Sequence, residues 1–178
     1  MAAGGWAVMR VVGIDPSLTG TGICVGTSLA EHVHTITTDS KEPMGDRLAR
    51  IYGATGELAD GHRFLAVMED MPKHAHSAGL TAMAHGVVRL ALHHAGAHVI
   101  TVPPATLKKY ATGKGTATKA DMRMALYQRV GIDLRDDNQV DAWWLRALGH
   151  QMLGAPVVDL PKANMAALDK LRLPGGES

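Results

Sequence analysis

Three acids stand where acids are costly to place. Asp15 ends the apolar run Val11-Val12-Gly13-Ile14, Glu69 ends Phe64-Leu65-Ala66-Val67-Met68, and Asp141 lies among Val140, Trp143, Trp144, Ala147 and Leu148. A carboxylate beside buried apolar surface needs a partner. Each acid also has an ordinary reading. Asp15 can cap the turn that Pro16, Gly20 and Gly22 announce. Glu69 can be a solvated strand-end acid, with Asp70 beside it on the opposite face. Asp141 can pair with Arg146 or a lysine, yet a solvated acid is not expected on a core-facing helix. If the three converge, their hard oxygens suit Mg²⁺ or Mn²⁺ rather than zinc. Two such ions, roughly 3.5–4 Å apart, hydrolyse phosphodiesters. Asn138 and Asp141 are three apart and share one helix face. Asp137, one residue off that face, reads as a helix cap or as a group behind the ligands.

The elements that must position these acids follow from periodicity and turn chemistry. Short apolar or alternating runs predict strands over 8–14, 21–26 and 32–38, a three-strand antiparallel meander. Residues 44–58 carry Leu48, Ile51, Tyr52, Thr55 and Leu58 at helical spacing. A buried strand follows over 63–68, then a loop over 71–77 containing Pro72. A helix is expected over 78–95, ended by Gly96, and a strand over 97–102. A short helix over 105–110 leads to a glycine-containing turn. Thr118 caps a helix over 119–130 that Gly131 stops. The last strong helix runs over 139–153. The alternating second half requires crossovers and parallel pairing. The expected fold is therefore α/β: a mixed five-stranded sheet, antiparallel meander plus parallel strands, with helices on both faces.

The chain has 178 residues, enough for one sizeable core, and reads as a single domain over 1–178 with a partly flexible tail from about 154. Residues 162–171 form an amphipathic piece within that tail. There is no run of eighteen apolar residues and no signal-like N-terminus, so a soluble cytoplasmic protein is expected. The single cysteine, Cys24, reads as a small core residue and suits a reducing compartment. A net charge of +1 hides one basic segment. Lys108, Lys109, Lys114, Lys119 and Arg123 cluster there with Asp121 among them, which reads as a phosphate-binding surface or a solvated basic loop. None of the histidines has zinc spacing. Lys73 and either His74 or His76, in the loop after Glu69, are candidate phosphate contacts.

Four short motifs, in order and similarly spaced, resemble the RuvC family of Holliday-junction resolvases. They are Gly13-Ile14-Asp15-Pro16-Ser17-Leu18-Thr19-Gly20-Thr21-Gly22, Val67-Met68-Glu69, Thr112-Gly113-Lys114-Gly115-Thr116-Ala117-Thr118-Lys119 and Asp137-Asn138-Gln139-Val140-Asp141-Ala142. The resemblance implies an RNase H-like fold, a homodimer, and paired nicking of four-way DNA junctions. It implies two Mg²⁺ ions per active site, with Mn²⁺ as a substitute. Asp15, Glu69 and Asp141 become metal ligands, and Lys108 and Lys119 hold DNA phosphates. The helix over 78–95, with small residues Ala82, Ala84, Gly86 and Ala91, would pack at the two-fold axis. The glycines around Asp15 are expected to let a DNA backbone approach. The cell is bacterial or phage-infected, and any branch-migration partner is not identifiable from sequence.

Two departures from the family pattern stand out. The family usually has an acid, sometimes a histidine, where Asn138 stands, so Asn138 or Asp137 completes the site. An aromatic often follows the strand-end glutamate, and here Pro72 occupies that place, so stacking on an unpaired base is not expected there. This variation points to a phage-encoded branch. Rival readings are a broader branched-DNA debranching nuclease and a non-catalytic junction-binding protein. A sugar-kinase-like ATPase would need a second such domain.

Overall fold

The computed structural model describes residues 9–26, 32–71 and 78–174. Pro72, Lys73, His74 and His76 lie outside the described residues. Strands β1 (Val11–Asp15), β2 (Gly20–Val25) and β3 (His32–Thr37) precede α1 (Met44–Gly56), β4 (Leu65–Glu69), α2 (Ala78–His94) and β5 (His98–Val102). Four helices follow: α3 (Pro104–Thr112), α4 (Lys119–Val130), α5 (Asp137–Met152) and the short α6 (Lys162–Met165). The sheet order is β3-β2-β1-β4-β5. The β1/β2 and β2/β3 pairs are antiparallel, while β1/β4 and β4/β5 are parallel. The mixed sheet expected from the sequence is thus present.

Strand alternation divides the core. Val12, Ile14, Ile23, Ala66 and Met68 face one side, where they pack with Ile51 of α1 and Val88 and Leu92 of α2. Val11, Cys24, Leu65 and Val67 face the other, against Leu107 and Tyr110 of α3, Met122 and Leu126 of α4, and Trp143, Trp144 and Leu148 of α5. Burying both faces explains why the central strands read as continuous apolar runs. No helix among the described residues is long and apolar enough to cross a membrane.

Helix ends follow local chemistry. Thr118 and Asp121 form a reciprocal capping box on α4, and Gly131 closes it with φ 78°. Helix α3 extends past the expected 105–110 because Gly113, at φ 84°, supplies its stop. Helix α5 starts at Asp137 rather than 139, since Asp136 is its N-cap. The amphipathic piece expected over 162–171 is helical only over Lys162–Met165. The tail is nevertheless packed. Leu160, Met165, Leu168, Leu171 and Leu173 lie against the α3–α5 core, and buried Asn164 donates through Nδ2 to the Tyr110 carbonyl at 2.7 Å.

Candidate active site

Asp15 and Glu69 end neighbouring parallel strands. Ile14 pairs in register with Met68, so the two acids stand one step further along. Alternation places Asp15 on the face of Gly13 and Val11, and Glu69 on the face of Val67 and Leu65. That is the face covered by α5, which carries Asp141. The approach of α5 depends on glycine. A Cβ on Gly13 would stand 2.0 Å from the Ala142 carbonyl oxygen, and one on Gly22 would stand 2.1 Å from that of Asn138. On the helix side, a Cβ on Gly149 would stand 2.6 Å from Val11 and Val67. This corrects the expectation that the glycines near Asp15 open space for DNA. Gly13 and Gly22 admit the helix that brings Asp141 in.

All three carboxyl groups are partly buried, and each has its ionisation pushed to higher pH. Burial, followed by the charges of Asp141 and Asp136, raises the Asp15 pKa. Burial, then Asp15 and Asp141, raises that of Glu69. Asp141 is pushed up to about 6, first by burial, with Asp137 adding to it and Lys119 and Lys108 opposing. The charge of Asp141 thus bears on both Asp15 and Glu69, and that of Asp15 on Glu69, in a poorly solvated crevice. Among the described residues, no three Asp, Glu, His or Cys side chains are gathered around one point as ligands of an ion. The donor chemistry fits a hard divalent cation all the same. Three carboxylates whose repulsion Lys119 and Lys108 only partly offset are what such an ion neutralises.

The start of α5 separates the remaining candidates. Asp137 pairs with Lys119 at 3.2 Å, so its carboxylate is engaged with that ammonium. The cap expected at Asp137 is instead Asp136, a residue that motif and spacing do not single out. Its Oδ1 accepts from the Asn138 backbone N–H at 2.9 Å and from Asn138 Nδ2 at 3.0 Å, and its Oδ2 accepts from the Thr35 hydroxyl. Partial burial works against its ionisation, but the donors Thr35, Asn138 and Gln139 outweigh that and hold its carboxyl below the ordinary range. The signal for Asp136 was the N-cap preference for Asp just ahead of a helix.

The basic segment splits in the same way. Lys108 and Lys119 act on Glu69 and Asp141. Partial desolvation opposes the charge of Lys119, but Asp137, Asp141 and Asp15 hold its pKa above the usual value. Lys109 lines a different groove with Thr106, Gly115, Asp169 and Lys170. Lys114 stands on the exposed turn before α4, and Arg123 is held by Asp133 through Nε at 2.8 Å and a second nitrogen at 2.6 Å. The small residues of α2 also divide: Ala84 and Ala91 are buried inward, while Ala82 and Gly86 are exposed beside Leu80, Met83 and Leu90.

The family model described as "Crossover junction endodeoxyribonuclease RuvC" matches residues 11–142. The protein of that description from Salinispora arenicola is 33% identical over 181 aligned positions, covering 94% of this chain and 99% of its own length. That from Sorangium cellulosum is 34% identical over 126 residues, covering 66% of this chain and 70% of its own. The Thermus thermophilus RuvC structure matches with a TM-score of 0.66 at 23% identity, over 85% of this chain and 100% of that one. The structure of T. thermophilus RuvC in complex with Holliday junction substrate matches with the same score over 85% and 99%. These likenesses show the RNase H-like fold. The family match spans β1 through the first turns of α5 and so includes Asp15, Glu69 and Asp141: the chain belongs to the RuvC family of crossover junction endodeoxyribonucleases.

Proposed function

We propose that this protein is a divalent-cation-dependent endonuclease that resolves four-way DNA junctions by paired, symmetric nicks. The observation that supports this reading is that Asp15 and Glu69, at the ends of the neighbouring strands β1 and β4, stand on the sheet face covered by α5, the helix that carries Asp141. Family membership and the junction complex of the T. thermophilus relative support the substrate.

Asp15, Glu69 and Asp141 would hold two Mg²⁺ ions, or Mn²⁺ in their place, with Asn138 contributing its amide oxygen. Such a pair of ions lowers the pKa of an attacking water and stabilises the leaving 3′ oxygen. The chain's own part is positioning. Lys119, anchored by Asp137, and Lys108 present ammonium groups beside the carboxylates, where they bind the phosphates flanking the scissile bond. Lys114 and Lys109, with Lys73 and His74 from the loop after Glu69, extend contact along the DNA backbone. Asp137 serves Lys119 rather than an ion. The products carry 5′-phosphate and 3′-hydroxyl ends.

The exposed apolar face of α2 supplies the surface for a second copy. Leu80, Met83 and Leu90 are each about half exposed, at 47%, 47% and 50%. Two active sites related by a two-fold axis match a two-fold symmetric junction. We place the whole chain, 1–178, in one nuclease domain acting on DNA in the cytoplasm of a bacterial or phage-infected cell.

The neutral Asn138 favours one second reading: a site with weakened ion affinity that binds junctions without cutting them. Pure protein incubated with a synthetic immobile junction and Mg²⁺ decides between the two. Symmetric nicks support resolution, and tight binding without nicks supports the alternative. A panel of forks and flaps tests whether the substrate range is broader.

A further inference from the structure

The acid missing at position 138 has a counterpart two residues earlier, and it is built into the site. Asp136 uses one oxygen for the backbone and side-chain nitrogens of Asn138, at 2.9 and 3.0 Å, and the other for the Thr35 hydroxyl on β3. A carboxylate only accepts, so it selects the NH₂ end of the Asn138 amide. Gly20 leaves the room for that end: a Cβ there would stand 2.9 Å from Asn138 Nδ2. The amide is planar, so its oxygen is turned away from Asp136. Asn138 also shares its helix face with Asp141, three residues on.

From this geometry we propose that Asp136 is a positioning residue that locks Asn138 with its carbonyl oxygen toward the Asp15–Glu69–Asp141 cluster. The inference rests on the cation-binding reading of that cluster. It also explains why 138 is an amide. A carboxylate there would set one of its oxygens against Asp136 Oδ1 at the place where Nδ2 now donates. The Asp136–Asn138 pair thus keeps one negative charge at the start of α5 while presenting a neutral oxygen ligand. Partners that orient a ligating side chain in this way typically change ion affinity roughly 10–100-fold when lost.

The test is a mutant cycle read by Mn²⁺ binding to the purified protein, using calorimetry or the free-Mn²⁺ EPR signal. Asp136→Ser keeps an N-cap hydroxyl but is too short to hold both the Asn138 amide and Thr35. It is expected to weaken Mn²⁺ binding about tenfold with the fold retained. Asn138→Asp in the Asp136→Ser background is expected to restore binding, because an unopposed carboxylate needs no lock. The same Asn138→Asp change opposite intact Asp136 is expected to give no gain. Thr35→Val, which removes one donor only, should give a smaller loss of about threefold. Asp136→Ser with wild-type affinity would overturn the lock alone. So would an Asn138→Asp effect of the same size with and without the Asp136→Ser change. A wild-type protein that binds no Mn²⁺ would overturn the cation reading and the lock together.

Discussion

Lys119, in the first turn of α4, reaches Asp137, in the first turn of α5, at 3.2 Å. The pair ties the basic segment to the helix that carries Asp141. Both side chains are well exposed, at 66% and 44%, so the pair itself adds no more than about 1 kcal/mol to stability. Its importance lies in placing an ammonium beside the carboxylates. Lys119→Ala should therefore leave the fold intact, weaken junction binding, and reduce the salt dependence of binding by about one counterion. Asp137→Asn should reduce cleavage by less than about threefold, since a neutral amide still contacts Lys119. A loss of about a thousandfold or more in Asp137→Asn, the size expected for a group at the reacting centre, would return Asp137 to the ligand set.

The carboxylate cluster predicts an unusual pH dependence. Folded-state pKa values raised above their unfolded ones stabilise the protonated form. That contribution is fully present below the unfolded values near 4 and is lost as pH rises through the folded ones. Asp141 stands at about 6, and Asp15 and Glu69 are also raised. Buried His85 and His150, whose pKa values are lowered mainly by burial, act in the opposite sense, and only below about 6.5. Between about pH 6.5 and 9 the carboxylates therefore dominate. In EDTA, Tm should fall across that range by several degrees, an effect on the order of 2 kcal/mol. Millimolar Mg²⁺ should abolish the fall, because bound cations favour the ionised groups. Asp15→Asn should be more stable than the wild type in EDTA at about pH 8, since it removes one repelling charge. Identical Tm slopes with and without Mg²⁺ would contradict the cluster.

The glycines separate site geometry from general flexibility. At Gly13 an added methyl meets helix backbone at 2.0 and 2.5 Å, whereas at Gly53 nothing lies within 4 Å. Gly13→Ala should cost at least about 3 kcal/mol and abolish cleavage, because α5 must lift from β1. Gly53→Ala, in the middle of α1, should stabilise by about 0.5–1 kcal/mol. Chemical denaturation of the two variants measures both values.

Residues of α2 carry the prediction about symmetry. Leu90→Glu places a charge on an exposed position and should change stability by less than about 0.5 kcal/mol. With α2 at the proposed two-fold axis, the substitution should turn a dimer into a monomer and uncouple the two nicks. Light scattering reads the first effect, and supercoiled cruciform cleavage reads the second, as nicked circles in place of linear product. A variant that remains dimeric would move the two-fold axis elsewhere.

Much of this arrangement was legible in the residues. Buried runs ending in Asp15 and Glu69 placed two strands, and an acid among tryptophans marked Asp141. The Thr118 cap and the glycine stops Gly96 and Gly131 fell where turn chemistry puts them. What could not be read was how helix meets sheet. Gly13 and Gly22 lack side chains because α5 crosses them, and those contacts join residues from opposite ends of the chain. The same holds for Thr35 and Asp136, which meet only once β3 and α5 are assembled. The expected start of α5 falls too late because Asp136 and Asp137 resemble a polar loop, although one caps the helix and the other is its first residue. Lys109 and Lys114 belong to the basic segment in sequence but not to the group of cations acting on the carboxylates.

Strand-resolved cleavage of an immobile four-way junction by wild-type protein and Asp15→Asn tests the central claim most directly. With Mg²⁺, the wild type should introduce paired nicks at symmetric positions in opposing strands, and EDTA should stop it. Asp15→Asn should bind the junction with wild-type affinity and cut at least about a thousandfold more slowly, as expected when a group at the reacting centre is lost. Normal cutting by Asp15→Asn, or nicking by the wild type in EDTA, would contradict the proposal that Asp15, Glu69 and Asp141 form the catalytic centre.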